Sequence, residues 1–256
     1  MNRFLRGLSL FWKLNLIKTL WFNFKLLPLK DAVRLPILLF GKINISESTG
    51  SIELKDSRPG IMRVGYFPHR LFGLNYCGSL TRISIKGKMI VKGTVKIGNG
   101  SFIKVEESGI LSLGSDVEIG PYARLYCKDK ISIGNTCRFS WDCQIFDTDF
   151  HYIIDDSRCV YRNAKSVIIG DNVWVGNRVT IQKGGVIGDN SIIASNSLVN
   201  KNLQKQYGEG VFAGIPVNLV AKGRHRIFDL GTEKKLDEFF EKETDKRSVC
   251  VDELYH

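Results

Sequence analysis

An aliphatic residue returns at every sixth position between residues 169 and 199 of this chain. The anchors are Ile169, Val175, Ile181, Ile187, Ile193 and Val199. Small or β-branched side chains follow the first five anchors at a distance of four residues, namely Val173, Val179, Gly185, Ser191 and Ser197. A period of six fits neither an α-helix, with about 3.6 residues per turn, nor an open strand, with a period of about two. It predicts a β-solenoid, in which short parallel strands stack as the faces of a coil.

The same spacing extends towards the N-terminus, with three interruptions. The earlier anchors are Ile85, Val91, Ile97 and Ile103, then Leu113, Ile119 and Leu125, then Ile133, Phe139, Ile145 and His151. The interruptions lie at Glu106–Ser112, Lys128–Ile131 and Asp147–Ser166. Extra residues inside a repeat must leave the coil as an external loop, and such loops commonly carry the binding face. A β-sandwich that matches the period by chance is the alternative, and six consecutive matches with a second, small-residue register favour the solenoid.

Three regions follow from this pattern. Residues 43–222 are the predicted solenoid, with a long external loop at 146–166 that is expected to carry the functional site, and residues 223–256 form a charged tail. The tail is expected to contain a helix that starts at an N-cap on Thr232, with an apolar stripe of Leu236, Phe239 and Phe240. Residues 1–42 form a basic, aromatic-rich leader with eight Lys and Arg residues and one acidic residue, Asp31.

The leader allows two interpretations, which are compatible. It is either an amphipathic helix on an anionic membrane surface or, as we favour, a helical cap over the first coil, since the ends of a solenoid must be covered. Its uncharged runs fall short of the roughly 20 apolar residues of a spanning helix. The apolar run after Arg6 stops at Lys13, too early for a signal peptide. We therefore expect a cytoplasmic protein, with contact at the inner face of the membrane as an open alternative.

Composition limits the remaining classes. The chain has 256 residues, 43% of them hydrophobic, which suits one globular body. The net charge of +11 agrees with anionic ligands. Because that charge is spread and no nucleic-acid-binding motif occurs, we expect no nucleic acid partner. The cysteines show no paired metal-ligand spacing, so no metal is expected, and Cys137 and Cys143 are interpreted as packing residues at the small-residue position.

Longer motifs make the chain resemble a known family. They are Ile169-Gly-Asp-Asn-Val-Trp-Val-Gly-Asn, Ile187-Gly-Asp-Asn-Ser, Val199-Asn-Lys and Ala213-Gly-Ile-Pro. They resemble those of the hexapeptide-repeat acyltransferases, and most of all the sugar O-acetyltransferases related to maltose and galactoside acetyltransferases and to enzymes of bacterial surface polysaccharides. The resemblance covers about residues 85–222. It implies an all-β left-handed parallel β-helix, a homotrimer, a sugar or glycan acceptor, and acetyl-coenzyme A bound in the cleft between neighbouring coils.

The acyl transfer that this resemblance implies requires a base that takes the proton of the attacking hydroxyl, and histidine has a suitable pKa. The four histidines are His69, His151, His225 and His256. His256 is the last residue, His225 lies in the basic tail, and His69 lies in an irregular stretch. His151 stands at the mouth of the longest insertion. A lone histidine is often structural, but His151 matches the catalytic histidine of the family.

Two aspartates precede this histidine. If strand-like alternation holds, Asp147, Asp149 and His151 share one face, and a carboxylate would hold the imidazole ring. The alternative is a turn in which the aspartates bond to their own backbone. Asp142 occupies the position at which the sugar acetyltransferases carry an asparagine that holds the acceptor hydroxyl. An aspartate there accepts but does not donate a hydrogen bond, which puts that role in doubt.

The resemblance also implies which residues bind the acetyl donor, coenzyme A, and stabilise the oxyanion. The tetrahedral intermediate needs N–H donors for its oxyanion, and the matching segment contains Gly176 and Asn177, with the Asn177 amide as our choice. Trp174 would either line the acceptor site or serve only as a packing residue. Ser195 and Asn200 match the lining of the pantetheine arm, and Lys201, Lys222 and Arg224 match the basic contacts to coenzyme A. The open alternatives are an N-acetyltransferase of a nucleotide-linked amino sugar, a serine acetyltransferase, and a scaffold or nucleic-acid-binding solenoid.

Overall fold

The computed structural model describes residues 13–66 and 79–255. Over these residues the chain winds through three sheets in turn, so that successive coils add one strand to each sheet. Sheet one contains β1 (Ile37–Leu39), β4 (Met62–Val64), β7 (Val95–Ile97), β10 (Val117–Ile119), β13 (Arg138–Phe139), β16 (Trp174–Val175), β19 (Ile192–Ile193), β21 (Val211–Gly214) and β22 (Val217–Ala221). Sheet two contains β2 (Ile43–Ser46), β5 (Thr81–Ile85), β8 (Phe102–Val105), β11 (Arg124–Cys127), β14 (Gln144–Phe146), β17 (Thr180–Ile181) and β20 (Leu198–Val199). Sheet three contains β3 (Ser51–Leu54), β6 (Lys88–Val91), β9 (Ile110–Leu113), β12 (Lys130–Ile133), β15 (Val167–Ile169) and β18 (Val186–Ile187).

The six-residue period corresponds to the register in which neighbouring coils stack. Strands pair in parallel with the equivalent anchor of the next coil, as Phe139 does with Val175 and Val175 with Ile193. All six anchors between residues 169 and 199 are at most 2% exposed. Burying each such side chain contributes roughly 1.5–3 kcal/mol. The predicted all-β architecture of stacked parallel strands is therefore confirmed; only the closing hairpin of β21 and β22 is antiparallel among the strand pairs described.

Cys137 and Cys143 pack inside the coil, as their position in the repeat predicts. Their exposures are 0% and 1%. Burial raises the pKa of the Cys137 thiol to about 11 and that of Cys143 to about 12. These thiols therefore remain protonated packing groups at neutral pH.

The three interruptions of the repeat fall on the same edge of the solenoid. Residues 106–109 join β8 to β9, residues 128–129 join β11 to β12, and residues 147–166 join β14 to β15. Each of these connections runs from sheet two to sheet three. We call this line of turns the 2–3 edge, and the line of turns from sheet one to sheet two the 1–2 edge. Insertions that are far apart in sequence are thereby stacked on one another.

The N-terminal segment covers the first coil. Helix α1 (Leu16–Leu26) and the short helix α2 (Leu29–Ala32) precede β1, which starts before the boundary at residue 42 expected for the leader. The side chain of Asn23 accepts from the Ile37 N–H at 3.1 Å and donates to the Ile37 carbonyl at 2.7 Å. Thr19 accepts from the Leu39 N–H at 3.1 Å. Polar side chains of α1 thus satisfy the open edge of β1, which supports the cap interpretation. Residues 1–12 of the predicted leader lie outside the described residues.

The C-terminal segment differs in detail from the prediction. Helix α3 (Leu203–Tyr207) follows the last strand of sheet two, and α4 (Leu230–Lys242) and a 3₁₀ helix (Val251–Tyr255) end the described chain. The N-cap of α4 is Asp229 and not Thr232, because the Asp229 carboxylate accepts from the Thr232 N–H at 2.7 Å. Thr232 lies inside the helix as a donor to that cap. In the part of the chain that the structure describes, no helix is long and apolar enough to cross a membrane.

The cap interpretation predicts that Asn23→Ala destabilises the protein. The substitution leaves the buried N–H and C=O groups of Ile37 without their partner, which lowers the free energy of unfolding by about 2–4 kcal/mol. Asn44→Ala is the matched control, because Asn44 is exposed on β2. Urea denaturation measures both variants, and equal effects of the two substitutions would contradict the cap interpretation.

Candidate active site

The longest insertion forms an ordered arm at the 2–3 edge. Its outgoing and returning segments are joined by two isolated antiparallel bridges, Thr148–Ala164 and Ile154–Val160. At its base the Lys165 N–H donates to the Asp147 carbonyl at 2.8 Å. Residues 150–162 are exposed, and His151 is among them. The arm therefore presents His151 to the outside of the coil.

The Asp147 carboxylate holds the base of the arm and does not contact the histidine. Asp147 is fully buried, and its two oxygens accept from the N–H groups of Lys128 at 2.8 Å and Asp129 at 2.7 Å. The expected common face of residues 147, 149 and 151 is wrong. Strand β14 ends at Phe146, and Phe150 has a left-handed φ of 65°, so the alternation of a strand stops before His151. The structure also departs from the turn alternative for Asp147, because its carboxylate bonds to the backbone of Lys128 and Asp129, one coil earlier, and not to its own turn.

Asp149 lies between the arm and the coil. Its carboxylate forms an ion pair with Lys183, and its carbonyl accepts from the His151 N–H at 2.7 Å. Lys183 also donates to the Arg162 carbonyl at 3.4 Å, so one ammonium group connects the outgoing and the returning segment of the arm to the next turn of the 2–3 edge. Within residues 13–66 and 79–255, no side chain is hydrogen-bonded to the ring of His151. Sequence reasoning missed Lys183, although its position two residues after the anchor Ile181 places it at this edge.

Gly176, Asn177 and Ser195 lie together at the 1–2 edge. The Ser195 hydroxyl donates to the Asn177 side-chain oxygen at 2.5 Å. Gly176 is required by stacking, because a Cβ there would lie 2.6 Å from the Ser195 nitrogen. The Asn177 N–H has no acceptor among the residues described, so it is available to a ligand.

Asp142 belongs to this second group. It lies one coil before Asn177 on the same 1–2 edge, with a left-handed φ of 59°, and its N–H donates to the Pro121 carbonyl at 3.0 Å. It is partly buried. His151 lies on the 2–3 edge. The predicted base and the predicted acceptor contact Asp142 therefore lie on different edges of one chain.

The predicted cationic contacts lie near the C-terminal end of the coil. Asn200 and Lys201 follow β20 at the 2–3 edge; Asn200 is exposed, and the Lys201 ammonium donates to Asn218 at 3.3 Å. Lys222 and Arg224 follow the hairpin strand β22 and are exposed. The structure does not bring Lys222 and Arg224 to the edge that carries His151 and Lys201.

Trp174 contacts the tail of its own chain. It lies on strand β16 and is 37% exposed. The Arg226 guanidinium lies 5.2 Å from the centre of its ring, and also 5.2 Å from the centre of the Phe228 ring. This cation–π stack favours the packing interpretation of Trp174 over a wall of the acceptor site. Arg226 was not expected from the sequence, because a stack between a strand and a distant tail leaves no local pattern.

Three further histidines bear on the choice of base. His225 lies near Asn190, with its Nδ1 3.2 Å from the Asn190 carbonyl. His69 and His256 lie outside the described residues. Within the described ranges, no group of three His, Cys, Asp or Glu side chains is arranged to hold a metal ion.

Comparison with known proteins finds similar sequences over part of the chain. Residues 166–201 match the sequence profile of the family "Bacterial transferase hexapeptide (six repeats)". A putative lipopolysaccharide biosynthesis O-acetyl transferase of Escherichia coli, WbbJ, is 25% identical over 130 residues, which are 46% of this chain and 63% of that protein. A galactoside O-acetyltransferase of Lactococcus lactis is 35% identical over 115 residues, which are 43% of this chain and 53% of that protein. Through these repeats residues 166–201 are similar to the hexapeptide-repeat transferases.

A solved structure supports the fold. The polysialic acid O-acetyltransferase OatWY has a TM-score of 0.51 with this chain at 22% identity, over 77% of this chain and 99% of that one. At this identity the likeness concerns the fold alone. The chain spans less than two thirds of the length of the curated relatives named above.

Proposed function

We propose that this protein is an acetyl-coenzyme A-dependent O-acetyltransferase that acts on a sugar hydroxyl of a bacterial surface polysaccharide. We also propose that its solenoid is left-handed. The observation that carries the proposal is the placement of His151. An exposed imidazole stands on an arm whose base is fixed by the buried Asp147 carboxylate and by the Asp149–Lys183 ion pair. Relatives with the same repeat are named as O-acetyltransferases of lipopolysaccharide and galactosides. A fixed base on an ordered arm is the group that acyl transfer to a hydroxyl requires.

The proposed chemistry is a direct transfer. The His151 imidazole removes the proton of the sugar hydroxyl as its oxygen attacks the thioester carbonyl. The Asn177 N–H donates to the oxyanion that develops on the carbonyl oxygen. The C–S bond then breaks, and the imidazolium returns the proton to the departing thiolate. The acetyl ester and the free thiol of coenzyme A are the products.

The residues present fit coenzyme A in chemical type. Asn177 offers an N–H without an acceptor in the described chain, and Ser195 and Asn200 offer exposed polar side chains for the amides of the pantetheine arm. Lys201, Lys222 and Arg224 supply positive charge for its phosphates. Asp149 acts through Lys183 and the arm to position His151, and Asp142 stands ready to accept a hydrogen bond from a sugar hydroxyl.

The distribution of these groups supports a site shared between copies of the chain. His151 lies on the 2–3 edge, and Asn177, Ser195 and Asp142 lie on the 1–2 edge. A single coil keeps the two edges apart, because the sheet-two strands β14 and β17 lie between them. The two sets meet if the 2–3 edge of one chain faces the 1–2 edge of its neighbour, and a closed ring of three chains repeats this contact. We therefore propose a homotrimer.

The proposal predicts that His151→Ala lowers acetyl transfer about 10²–10⁴-fold, the usual contribution of a general base. Because the His151 side chain is exposed, the thermal unfolding temperature stays unchanged. Transfer to a glycan acceptor and a thermal scan measure the two properties. Activity within a few-fold of the wild type would remove His151 from the mechanism.

Asp147→Ala is the contrasting variant. It leaves the N–H groups of Lys128 and Asp129 without their acceptor and lowers the free energy of unfolding by about 1–3 kcal/mol. A loss of activity in His151→Ala without a loss of stability therefore separates the base from the residue that anchors its arm.

The helix α1 supports peripheral contact with an anionic membrane. Phe22 and Leu26 are buried against the coil, whereas Ile17 is 82% exposed and Trp21 and Phe24 are each 49% exposed. Cationic residues accompany this outer face, at Lys13, Lys25, Lys30 and Arg34. An apolar face with flanking cations suits the headgroup region of an anionic bilayer, where each cation contributes about 1 kcal/mol. One helix thus serves as a cap with one face and as a proposed membrane contact with the other.

Sedimentation with phosphatidylserine vesicles tests this contact. The full chain is expected to pellet with the vesicles at low salt and to be released in large part by high salt, because salt screens the lysines. The double variant Trp21→Ser, Phe24→Ser is expected to remain in the supernatant, and Phe240→Ser, which changes an exposed ring on α4, is the control. If the wild-type chain stays in the supernatant at low salt, α1 is a cap only.

A further inference from the structure

The stacked insertions at the 2–3 edge enclose a cleft beside the arm. Its volume is about 480 Å³, within the range of roughly 300–1,000 Å³ that is usual for ligand pockets. Its lining residues are Glu106, Glu107, Ser108, Tyr126, Lys128, Thr148 and Phe150. They come from all three interruptions of the repeat and from the outer side of β11. None of them belongs to the set of residues assigned above to the base or to coenzyme A.

Aromatic rings form one side of this cleft. The Phe150 ring stands with its centre 4.7 Å from that of Tyr126 and 5.6 Å from that of Phe146, with its plane steeply inclined to both. Phe150 is 47% exposed and directly precedes His151 in the chain. A ligand held against this ring is therefore bound by the residue that precedes the proposed base on the arm.

Polar groups with fixed roles form the other side. The Tyr126 hydroxyl donates to the Glu106 carboxylate, which also pairs with Lys104 at 2.8 Å. Burial and the neighbouring Glu106 raise the pKa of Tyr126, so the phenol keeps its proton. Burial opposes ionisation of Glu106, but the hydrogen bonds from Lys104 and Tyr126 lower its pKa below the ordinary value. Glu106 is thus a charged acceptor at neutral pH.

The charges of the lining select the ligand. Glu106 and Glu107 supply two carboxylates to the lining; Lys104, outside the lining, pairs with Glu106, and Lys128 supplies the ammonium of the lining itself. That ammonium donates to the Asn163 side chain at 3.2 Å and lies 5.9 Å from the centre of the Tyr152 ring. An acidic sugar would place its carboxylate against the two glutamates, whereas the hydroxyls of a neutral sugar donate to them.

We propose that this cleft is a subsite for a sugar residue of the acceptor glycan, adjacent to the residue that is acetylated, and that it takes a sugar without an acidic group. The inference rests on the proposed function for the identity of the ligand as a glycan. The apolar face of the sugar ring packs on Phe150, and its hydroxyls bond to Glu106, Glu107 and the Ser108 hydroxyl. By holding one sugar, the subsite orients the glycan so that a hydroxyl of the next sugar reaches His151.

Calorimetry with two defined probes tests the subsite on the full chain. The probes are a neutral galacto-oligosaccharide and an oligomer of sialic acid, each of three residues. The neutral probe is expected to bind the wild-type protein and the acidic probe to bind more weakly. Phe150→Leu removes the aromatic face on which the sugar packs, and Glu107→Gln removes a charged hydrogen-bond acceptor; each is expected to weaken binding of the neutral probe about tenfold.

Matched variants control for nonspecific effects. Phe240→Leu and Glu241→Gln change an exposed ring and an exposed acid on α4, and each is expected to alter binding less than about twofold. The inference is overturned if the wild-type chain does not bind the neutral probe, if it prefers the acidic one, or if Phe150→Leu and Glu107→Gln bind like the controls.

Steady-state kinetics separates this inference from the proposed function. The two cleft variants are expected to raise the KM for the glycan about tenfold, while the KM for acetyl-coenzyme A stays unchanged. Acetyl transfer by the wild type with an unaltered glycan KM in both variants would overturn the subsite and leave the proposed function standing. Binding of the neutral probe through Phe150 and Glu107 without any acetyl transfer would overturn the proposed function and leave the subsite standing.

Discussion

The stacking of one coil on the next is the constraint on which the whole structure depends. Anchors such as Val175 and Ile193 pair in register on neighbouring strands, and their side chains are fully buried in the interior. The pitch of the stack is fixed by strand spacing, so a coil cannot absorb additional residues inside. Even a Cβ at Gly176 would meet the backbone of the next coil. Every additional residue must leave at an edge, and the edges are where the polar chemistry of this protein lies.

This constraint explains how the site is divided. The arm that carries His151 and the shorter insertions around Glu106 and Lys128 leave the coil at the 2–3 edge, and stacking alone brings them together. The turns of the 1–2 edge carry no insertions, so the N–H of Asn177 lies at the surface of the solenoid. The proposed mechanism needs His151 from the 2–3 edge and the Asn177 N–H from the 1–2 edge at the same thioester carbonyl group. A rigid solenoid cannot fold one edge onto the other, and a second copy of the chain is the simplest way to combine them.

The sequence predicts those parts of the fold that are periodic. The anchors and the small residues, including Cys137 and Cys143, report the interior directly, because each coil imposes the same requirement on its residues. The arm is not periodic, and there the strand-based expectation for Asp147 is wrong, since strand β14 ends at Phe146 and a left-handed Phe150 changes the direction of the chain. Thr232 was expected as the cap of α4 because it is a suitable residue type, but Asp229 stands three residues earlier and takes that place.

Contacts between distant segments leave no pattern that a single sequence reveals. The ion pair of Asp149 with Lys183 joins residues 34 positions apart in the chain, and the stack of Arg226 on Trp174 joins a tail to a strand. The cleft between the insertions is of the same kind, since Glu106, Tyr126 and Phe150 meet only because the coils place them on one edge. The residue types at these positions were visible in the sequence, but their proximity follows from the stacking.

Complementation between two inactive chains tests the central claim, a site shared between the edges of two copies, most directly. His151→Ala removes the base from the 2–3 edge, and Ser195→Trp, at an exposed position, blocks the 1–2 edge. Each variant alone is expected to be inactive. In a randomly mixed 1:1 population of trimers, about one site in four combines an intact His151 with an intact Ser195 edge from the neighbouring chain, so about a quarter of the wild-type activity should return. A mixture that stays inactive, although light scattering and mass spectrometry show mixed trimers, would contradict the shared site.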